Sequence, residues 1–350
     1  MSNKKTPTPK IRLDDADEFL HELGPEPTFN ESMYFNVVDP VRHVGAFFRL
    51  GNRANEGRGE MTCCVYLPDG RVAFMFRRPE VTTNDAFDAA GMRFDVVTPF
   101  QELTVTYGGE LVLLTDPLEM ADPRRAFTEN PTVEGAVSLT FRGTAPPFGG
   151  EPEVSHERPG EEFARGHYEQ LVGARGTITV GDEHFEIDGW GLRDHSWGPR
   201  TWQAPWYYRW LVGCGGVDVG FMASRIARRD SDGTRGGFVW DGDRLHVIRH
   251  VTVNTDWSEP GTYHRRVEAN LSTADPNRPS TSEVRSWTLV GEVSSLIPLR
   301  NRRDEMVTRI SEGLTTWTLT PTDGGPSRTA YGLSEYLDQI IDGAPVGIDE

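Results

Sequence analysis

The sequence predicts an all-β protein built of two antiparallel β domains, with one short helix at the C-terminus. Three observations predict it. From Gly45 onward, short segments of alternating apolar and polar residues are cut at close intervals by Gly, Pro, Asn or Asp, which is how antiparallel strands joined by turns read. Only the C-terminal stretch carries the period of an amphipathic helix. A chain of 350 residues exceeds one ordinary domain and holds enough material for two cores.

Along the chain, residues 1–30 are polar and carry several prolines, so they read as a flexible N-terminal arm. Residues 31–160 form the first predicted domain. Its clearest hairpin joins strands at 61–67 and 72–77 through Pro68-Asp69-Gly70-Arg71, where Asp69-Gly70 supplies the turn geometry. Further strands are expected at 92–97, 103–107, 110–114 and 133–141. The stretch Thr144-Ala145-Pro146-Pro147-Phe148-Gly149-Gly150-Glu151-Pro152 is too rich in Pro and Gly for a strand ladder and marks the boundary, near 143–165. The second domain, 161–350, has expected strands at 177–180, 184–191, 207–212, 219–226, 237–240, 245–253, 265–271, 286–293 and 313–319. Residues 333–341 read as the helix, with Leu333, Leu337 and Ile340 on one face packed against a barrel.

Composition excludes several functions. The hydrophobic (37%) and charged (25%) fractions are those of a soluble globular chain, and no apolar run reaches the roughly 18–20 residues of a membrane span. The N-terminal Lys4 and Lys5 are not followed by an apolar stretch, so no secretory signal is read and a cytoplasmic location is expected. Cys63, Cys64 and Cys214 offer neither a disulfide framework nor paired zinc spacing. A net charge of −17 opposes binding to nucleic acid or to an anionic membrane surface. Neither a phosphate-binding glycine loop nor a nucleophile elbow appears, and no cofactor and no metal is expected.

The chemistry concentrates between Trp190 and Trp210, which holds Trp190, Trp197, Trp202, Trp206 and Trp210 together with Arg193, Asp194, His195, Arg200, Tyr207, Tyr208 and Arg209. Aromatic rings around a few ionisable groups suit a pocket that holds an apolar molecule and places a proton donor or acceptor against it. Asp194 and His195 are the candidate catalytic pair, since a carboxylate beside an imidazole sets its tautomer and raises its pKa. Neighbours on a regular strand face opposite ways, so the pair shares a pocket only if the backbone bends, and Gly191 and Gly198-Pro199 provide for a bend. The competing reading makes Asp194 a structural partner of Arg193 or Arg200 and the tryptophans ordinary core. His167 and Glu169, two apart on an expected strand, face one side; with His195 they form a buried polar cluster or, less simply, a metal site. Arg309, Glu312 and Glu335 read as interdomain ion pairs.

The string Asp194-His195-Ser196-Trp197-Gly198 resembles the Asp-His-x-Trp-Gly motif of the two-domain lipocalin-like superfamily of carotenoid 1,2-hydratases (hydroxyneurosporene synthases), AttH-like proteins and lipocalin-type Diels–Alderases. Tyr34-Phe35-Asn36, the glycine-bounded 51–57, Gly166-His167-Tyr168-Glu169-Gln170 and the stretch 331–338 extend the resemblance weakly over most of 30–340. Ser196 stands where the carotenoid hydratases carry Asn. The resemblance implies two lipocalin-like domains around a hydrophobic small molecule, and a cofactor-independent hydratase, dehydratase, isomerase or cyclase acting on an isoprenoid-like or polyketide-like substrate. In that role Asp194 or His195 moves the proton, while Trp197, Trp202, Trp206, Tyr207, His167, Glu169 and Arg200 hold the substrate. Two alternatives use the same cavity: a carrier of a steroid, terpenoid or fatty acyl group, and a pericyclase that only shapes its substrate.

Overall fold

The computed structural model describes residues 11–153, 163–258, 262–275 and 283–348, at Asp232 the backbone alone. Two antiparallel sheets account for most of these residues, as the alternating pattern requires. The first contains β1 (Ile11–Arg12), β2 (Phe29–Asp39), β3 (Val44–Arg53), β4 (Arg58–Tyr66), β5 (Val72–Arg77), β6 (Phe87–Ala89), β7 (Met92–Thr98), β8 (Glu102–Leu114), β9 (Thr132–Gly143), β10 (Phe148–Pro152), β11 (Gly166–Val180) and β12 (Glu183–Pro199). The second contains β13 (Tyr207–Cys214), β14 (Gly220–Arg228), β15 (Ser231–Trp240), β16 (Leu245–Ile248), β17 (His250–Trp257), β18 (His264–Ser272), β19 (Ser286–Arg303), β20 (Met306–Pro321), β21 (Arg328–Ile341) and β22 (Ala344–Pro345). The one α-helix among the described residues is α1 (Pro123–Glu129), and no helix is long and apolar enough to cross a membrane.

In the first sheet, hydrogen-bonded pairing runs β11-β12-β2-β3-β4-β5-β8-β9 and returns to β11, closing an eight-stranded barrel. Closure leaves no edge along that ring. The second sheet runs β16-β15-β14-β13-β21-β20-β19-β18-β17 and stays open between β16 and β17. Its inner face carries a separate core around Leu211, Phe221, Trp287, Trp317 and Tyr336. Its other face packs Val212, Cys214, Met222 and Leu333 into the core of the barrel half. Strands β2 and β3 are therefore buried along almost their whole length on both faces, whereas β9 keeps one face in water and alternates cleanly.

Several expectations are corrected. The stretch 333–341 is not a helix: it lies in β21, bonded to β13 on one side and β20 on the other. Both of its faces are buried and carry satisfied polar residues, so Leu333, Leu337 and Ile340 mimic a helical stripe. The sheet changes between Pro199 and Tyr207, not at 143–165, and β11 and β12 complete the first barrel. The Pro/Gly stretch does hold a strand, β10, at the sheet's extension; Gly149 (φ 118°) lets it approach β11, where a Cβ would meet the His167 carbonyl at 2.4 Å. Of the expected N-terminal arm, residues 11–30 are docked, with Asp17 and Glu18 buried. Residues 1–10 of the arm and 154–162 of the expected boundary lie outside the described residues.

Candidate active site between the barrel and the second sheet

The pairing of β12 with β11 and β2 continues without a shift through Arg193, Asp194 and His195. Their side chains consequently alternate, and the expected Asp194–His195 pair does not form. Arg193, His195 and Trp197 point into the barrel, and Asp194 and Ser196 point at the second sheet.

On the inner face the charged groups bond one another, while His195 Nδ1 is left without a partner. Glu18, delivered by the docked N-terminal segment, accepts both terminal nitrogens of Arg193 at 2.7 Å, the Tyr168 hydroxyl at 2.5 Å and the Phe100 amide at 2.6 Å. Gln170 accepts two further Arg193 bonds. His195 Nε2 lies 2.6 Å from Glu31 Oε1, which also contacts His21 Nδ1 at 2.9 Å, and His21 stacks on Trp197 with ring centres 4.1 Å apart. His21, Glu31 and His195 are the one metal-type grouping among the described residues, held here as a hydrogen-bonded network. The expected grouping of His195 with His167 and Glu169 is excluded because His195 faces the other way.

The outer face presents a cross-strand row. Glu169 (β11), Asp194 (β12), Tyr34 (β2), Arg49 (β3) and Thr62 (β4) are successive register partners. Opposite it, Glu312 (β20), Glu335 (β21), Trp210 (β13) and Ser224 (β14) form a second row. Between them lies a cavity of about 180 Å³ lined by His167, Glu169, Asp194, Arg200, Trp202 and Tyr208, among others. A second chamber of about 170 Å³ is lined by Phe47, Phe74, Phe127, Leu299, Ile310 and Glu312. Tyr34, Arg49, Trp202 and Glu335 belong to both. The two chambers together sit at the lower end of the roughly 300–1,000 Å³ of ligand pockets.

Titratable groups cluster in the first chamber. His167 Nε2 lies 3.7 Å from Asp194 Oδ2 and 3.9 Å from Glu169 Oε1. His167 is only partly buried, and its desolvation is outweighed by contact with Asp194 and the charge of Glu169, which raise its pKa. Burial pushes Glu169 up to about 7, against the opposing charge of His167; its Oε1 accepts the Trp210 indole N–H at 2.6 Å. Burial, then the neighbouring Arg49, lowers Arg200 to about 10, and its Nη2 donates to Ser196 Oγ. In the second chamber burial alone lifts Glu312 to about 8. Burial, with Asp194 nearby, lifts Glu335 to about 8, and Glu335 accepts the Tyr208 hydroxyl.

The family of domains of unknown function DUF7064 matches residues 14–340. The chain belongs to that family. No curated protein matches its sequence. Solved structures share the DUF7064 chain's fold at low identity. Kievitone hydratase from Nectria haematococca is 11% identical, with a TM-score of 0.56 and coverage of 100% of this chain and 97% of that one. A protein assigned as AttH (NE1406) from Nitrosomonas europaea is 14% identical, with a TM-score of 0.55 over 98% and 100%. CghA, solved with Sch210972, is 12% identical, with a TM-score of 0.54 over 89% and 88%. The two-part lipocalin-like fold suggested by the motif is thus the fold of this DUF7064 member.

Of the residues singled out from the sequence, Asp194, His167, Glu169, Arg200 and Trp202 meet at the cavity. Trp197 lies inside the barrel, its indole N–H bonded to Glu151 at 3.1 Å. Trp206 packs under Arg229, and Tyr207 under Arg209 toward the second core. Tyr34 and Arg49 escaped notice as site residues, because only the strand register sets them beside Asp194. Glu312 and Glu335 are not the expected ion pairs but carboxyls in a chamber wall.

Proposed function

We propose that the protein is an acid–base enzyme acting on a hydrophobic small molecule enclosed between the barrel and the second sheet, by hydration, dehydration, isomerisation or cyclisation. One observation carries the reading: two carboxyls and an imidazole, Asp194, Glu169 and His167, converge on the wall of an aromatic cavity, one of the carboxyls tuned close to neutral pH. A group that titrates near the working pH is efficient as both proton donor and acceptor. Asp194 and Glu169 hold and exchange the proton through His167, Arg200 and Trp202 bound the chamber, and His195 is withdrawn from the chemistry. A solved neighbour named as a hydratase shares the fold, which agrees with this class of reaction.

The test begins with mass spectrometry of any small molecule that copurifies, incubated with wild-type protein. Asp194→Asn and His167→Gln are expected to slow conversion about 10²–10⁴-fold while melting temperature and ligand binding hold. His195→Gln is expected to keep the rate and to lose about 1–3 kcal/mol of stability by breaking the Glu31 network. Ligand returned unchanged by wild-type protein would establish a carrier. Full turnover by Asp194→Asn would leave a cavity that only shapes its substrate.

A further inference from the structure

Where the two chambers meet, polar groups converge that the proton-transfer cluster does not use. The Tyr34 hydroxyl and Arg49 Nη2 are buried and neither makes a well-formed hydrogen bond, the Asn36 side chain being the polar neighbour of the hydroxyl, although Tyr34 and Arg49 both belong to the wall common to both chambers. Arg49 is anchored by its other nitrogen to Glu60 at 3.1 Å and lies 5.3 Å from the Trp202 ring centre, so its direction is fixed. Across the gap, Glu335 accepts from Tyr208 and borders the opening, with Glu312 its direct neighbour on the adjacent strand. Glu312 Oε2 also lacks a partner.

The chemistry of this wall selects its ligand. Tyr34 stays a phenol, because burial and then the nearby Glu312 and Glu335 raise its pKa further. Both glutamates hold their protons near neutral pH, being lifted to about 8. Phenol, guanidinium and carboxylic acid are all donors in these states. A buried donor without an acceptor costs about 1–3 kcal/mol, which an oxygen acceptor placed between them removes. An ammonium ligand would face Arg49 and two uncharged carboxyls, and the ionised carboxylate of the wall, Glu60, is already paired with Arg49 and Arg58, so a cation does not suit the site. Beyond the polar wall, phenylalanines 47, 74 and 127 line one chamber and Trp202, Tyr208 and Trp210 the other.

We propose that Tyr34 and Arg49, backed by Glu335 and Glu312, form a subsite for a carbonyl oxygen, so that the substrate class is an elongated ketone or enone with apolar groups on both sides of the oxygen. The proposal rests on the reading that this cavity holds the substrate. In such a complex a proton leaving the carbon beside the carbonyl passes to the Asp194–His167–Glu169 cluster, and the electron pair of the broken C–H bond moves onto oxygen. The donors at the chamber junction receive that charge where water is excluded. Tyr34 and Arg49 then touch the reacting atoms, and the glutamates position them and supply the acidic surroundings.

The experiment compares two probes of nearly equal shape, 1,3-diphenylpropenone and its hydrocarbon counterpart 1,3-diphenylpropene, by quenching of tryptophan fluorescence in the full chain. The ketone is expected to bind at least about tenfold more tightly. Tyr34→Phe and Arg49→Met are each expected to reduce that preference severalfold while leaving hydrocarbon binding as it is. Isotope-edited infrared spectra of the bound ketone supply a second readout: the C=O stretch shifts to lower wavenumber in wild type and moves back in Tyr34→Phe. Equal binding of both probes, or an unshifted stretch, overturns the oxygen subsite while the cavity reading stands. Failure of both probes to bind overturns the cavity reading and the subsite with it.

Discussion

The two faces of β12 carry equally polar residues and treat them in opposite ways. Inside the barrel, Arg193 is closed off by Glu18, Gln170 and Tyr168. Outside, Asp194, Tyr34 and Arg49 stand in a row whose hydroxyl and guanidinium retain unused donors, next to carboxyls lifted toward neutral pH. A satisfied buried network fixes structure, and an unsatisfied one is retained at a cost in stability when it has other work. Polarity alone therefore does not distinguish the two faces: the inner one ties up its guanidinium and leaves only the imidazole Nδ1 of His195 over, whereas the outer one leaves a hydroxyl and a guanidinium nitrogen unused beside a cavity.

The contrast is broken most forcefully at Glu18. Replacing it by Ala strands the Arg193 charge in the barrel, and removal of one partner of a buried ion pair costs about 3–5 kcal/mol. Urea denaturation of Glu18→Ala is expected to show a loss of that order. A loss under about 1 kcal/mol would mean that the inner network is not what holds this end of the barrel.

The outer face predicts the opposite sign. Glu312 has an ordinary pKa of 4.5 and is lifted by burial to about 8, so between these values the unfolded chain ionises while the folded chain keeps the proton. Its contribution to stability is complete below 4.5 and declines as pH rises through 8. Glu312→Gln cannot ionise. The variant should match wild type near pH 5 and exceed it by up to about 4 kcal/mol at pH 8, since each tenfold difference in proton affinity between the folded and unfolded chains corresponds to about 1.4 kcal/mol. Thermal melts across that range check it. A variant less stable than wild type at pH 8 would show that Glu312 is ionised and paired.

These faces also show why the chain was only partly legible. The 61–77 hairpin announces itself by its Asp69-Gly70 turn, although both faces of its strands are buried, whereas β7 and β9 announce themselves because one face meets water and the residues alternate. In β21 both faces are buried, alternation disappears, and the leucine spacing fits a helix by coincidence. The tryptophan-rich segment pointed to Asp194 and Trp202, but adjacency in sequence joined His195 to Asp194 where strand parity separates them. Tyr34, Arg49, Glu312 and Glu335 come from four strands, and only long-range register assembles them. No local pattern encodes that register.

The smallest expected effect is the sharpest comparison, because it asks one atom the same question on each face. Tyr168 and Tyr34 are both buried tyrosines of the barrel half. The Tyr168 hydroxyl donates to Glu18 at 2.5 Å and accepts from Arg193 at 3.1 Å; the Tyr34 hydroxyl makes no well-formed hydrogen bond and has only the neutral Asn36 side chain beside it. Hydrogen bonds to charged groups contribute about 1.5–3 kcal/mol, so Tyr168→Phe should destabilise by that amount. Tyr34→Phe removes a buried hydroxyl that makes no well-formed hydrogen bond, so stability should stay level or rise by up to about 1 kcal/mol. Paired denaturation curves of the two variants, without ligand, decide it. If Tyr34→Phe costs as much as Tyr168→Phe, the Tyr34 hydroxyl is structural, and the outer row loses the donor on which its role in holding a ligand oxygen depends.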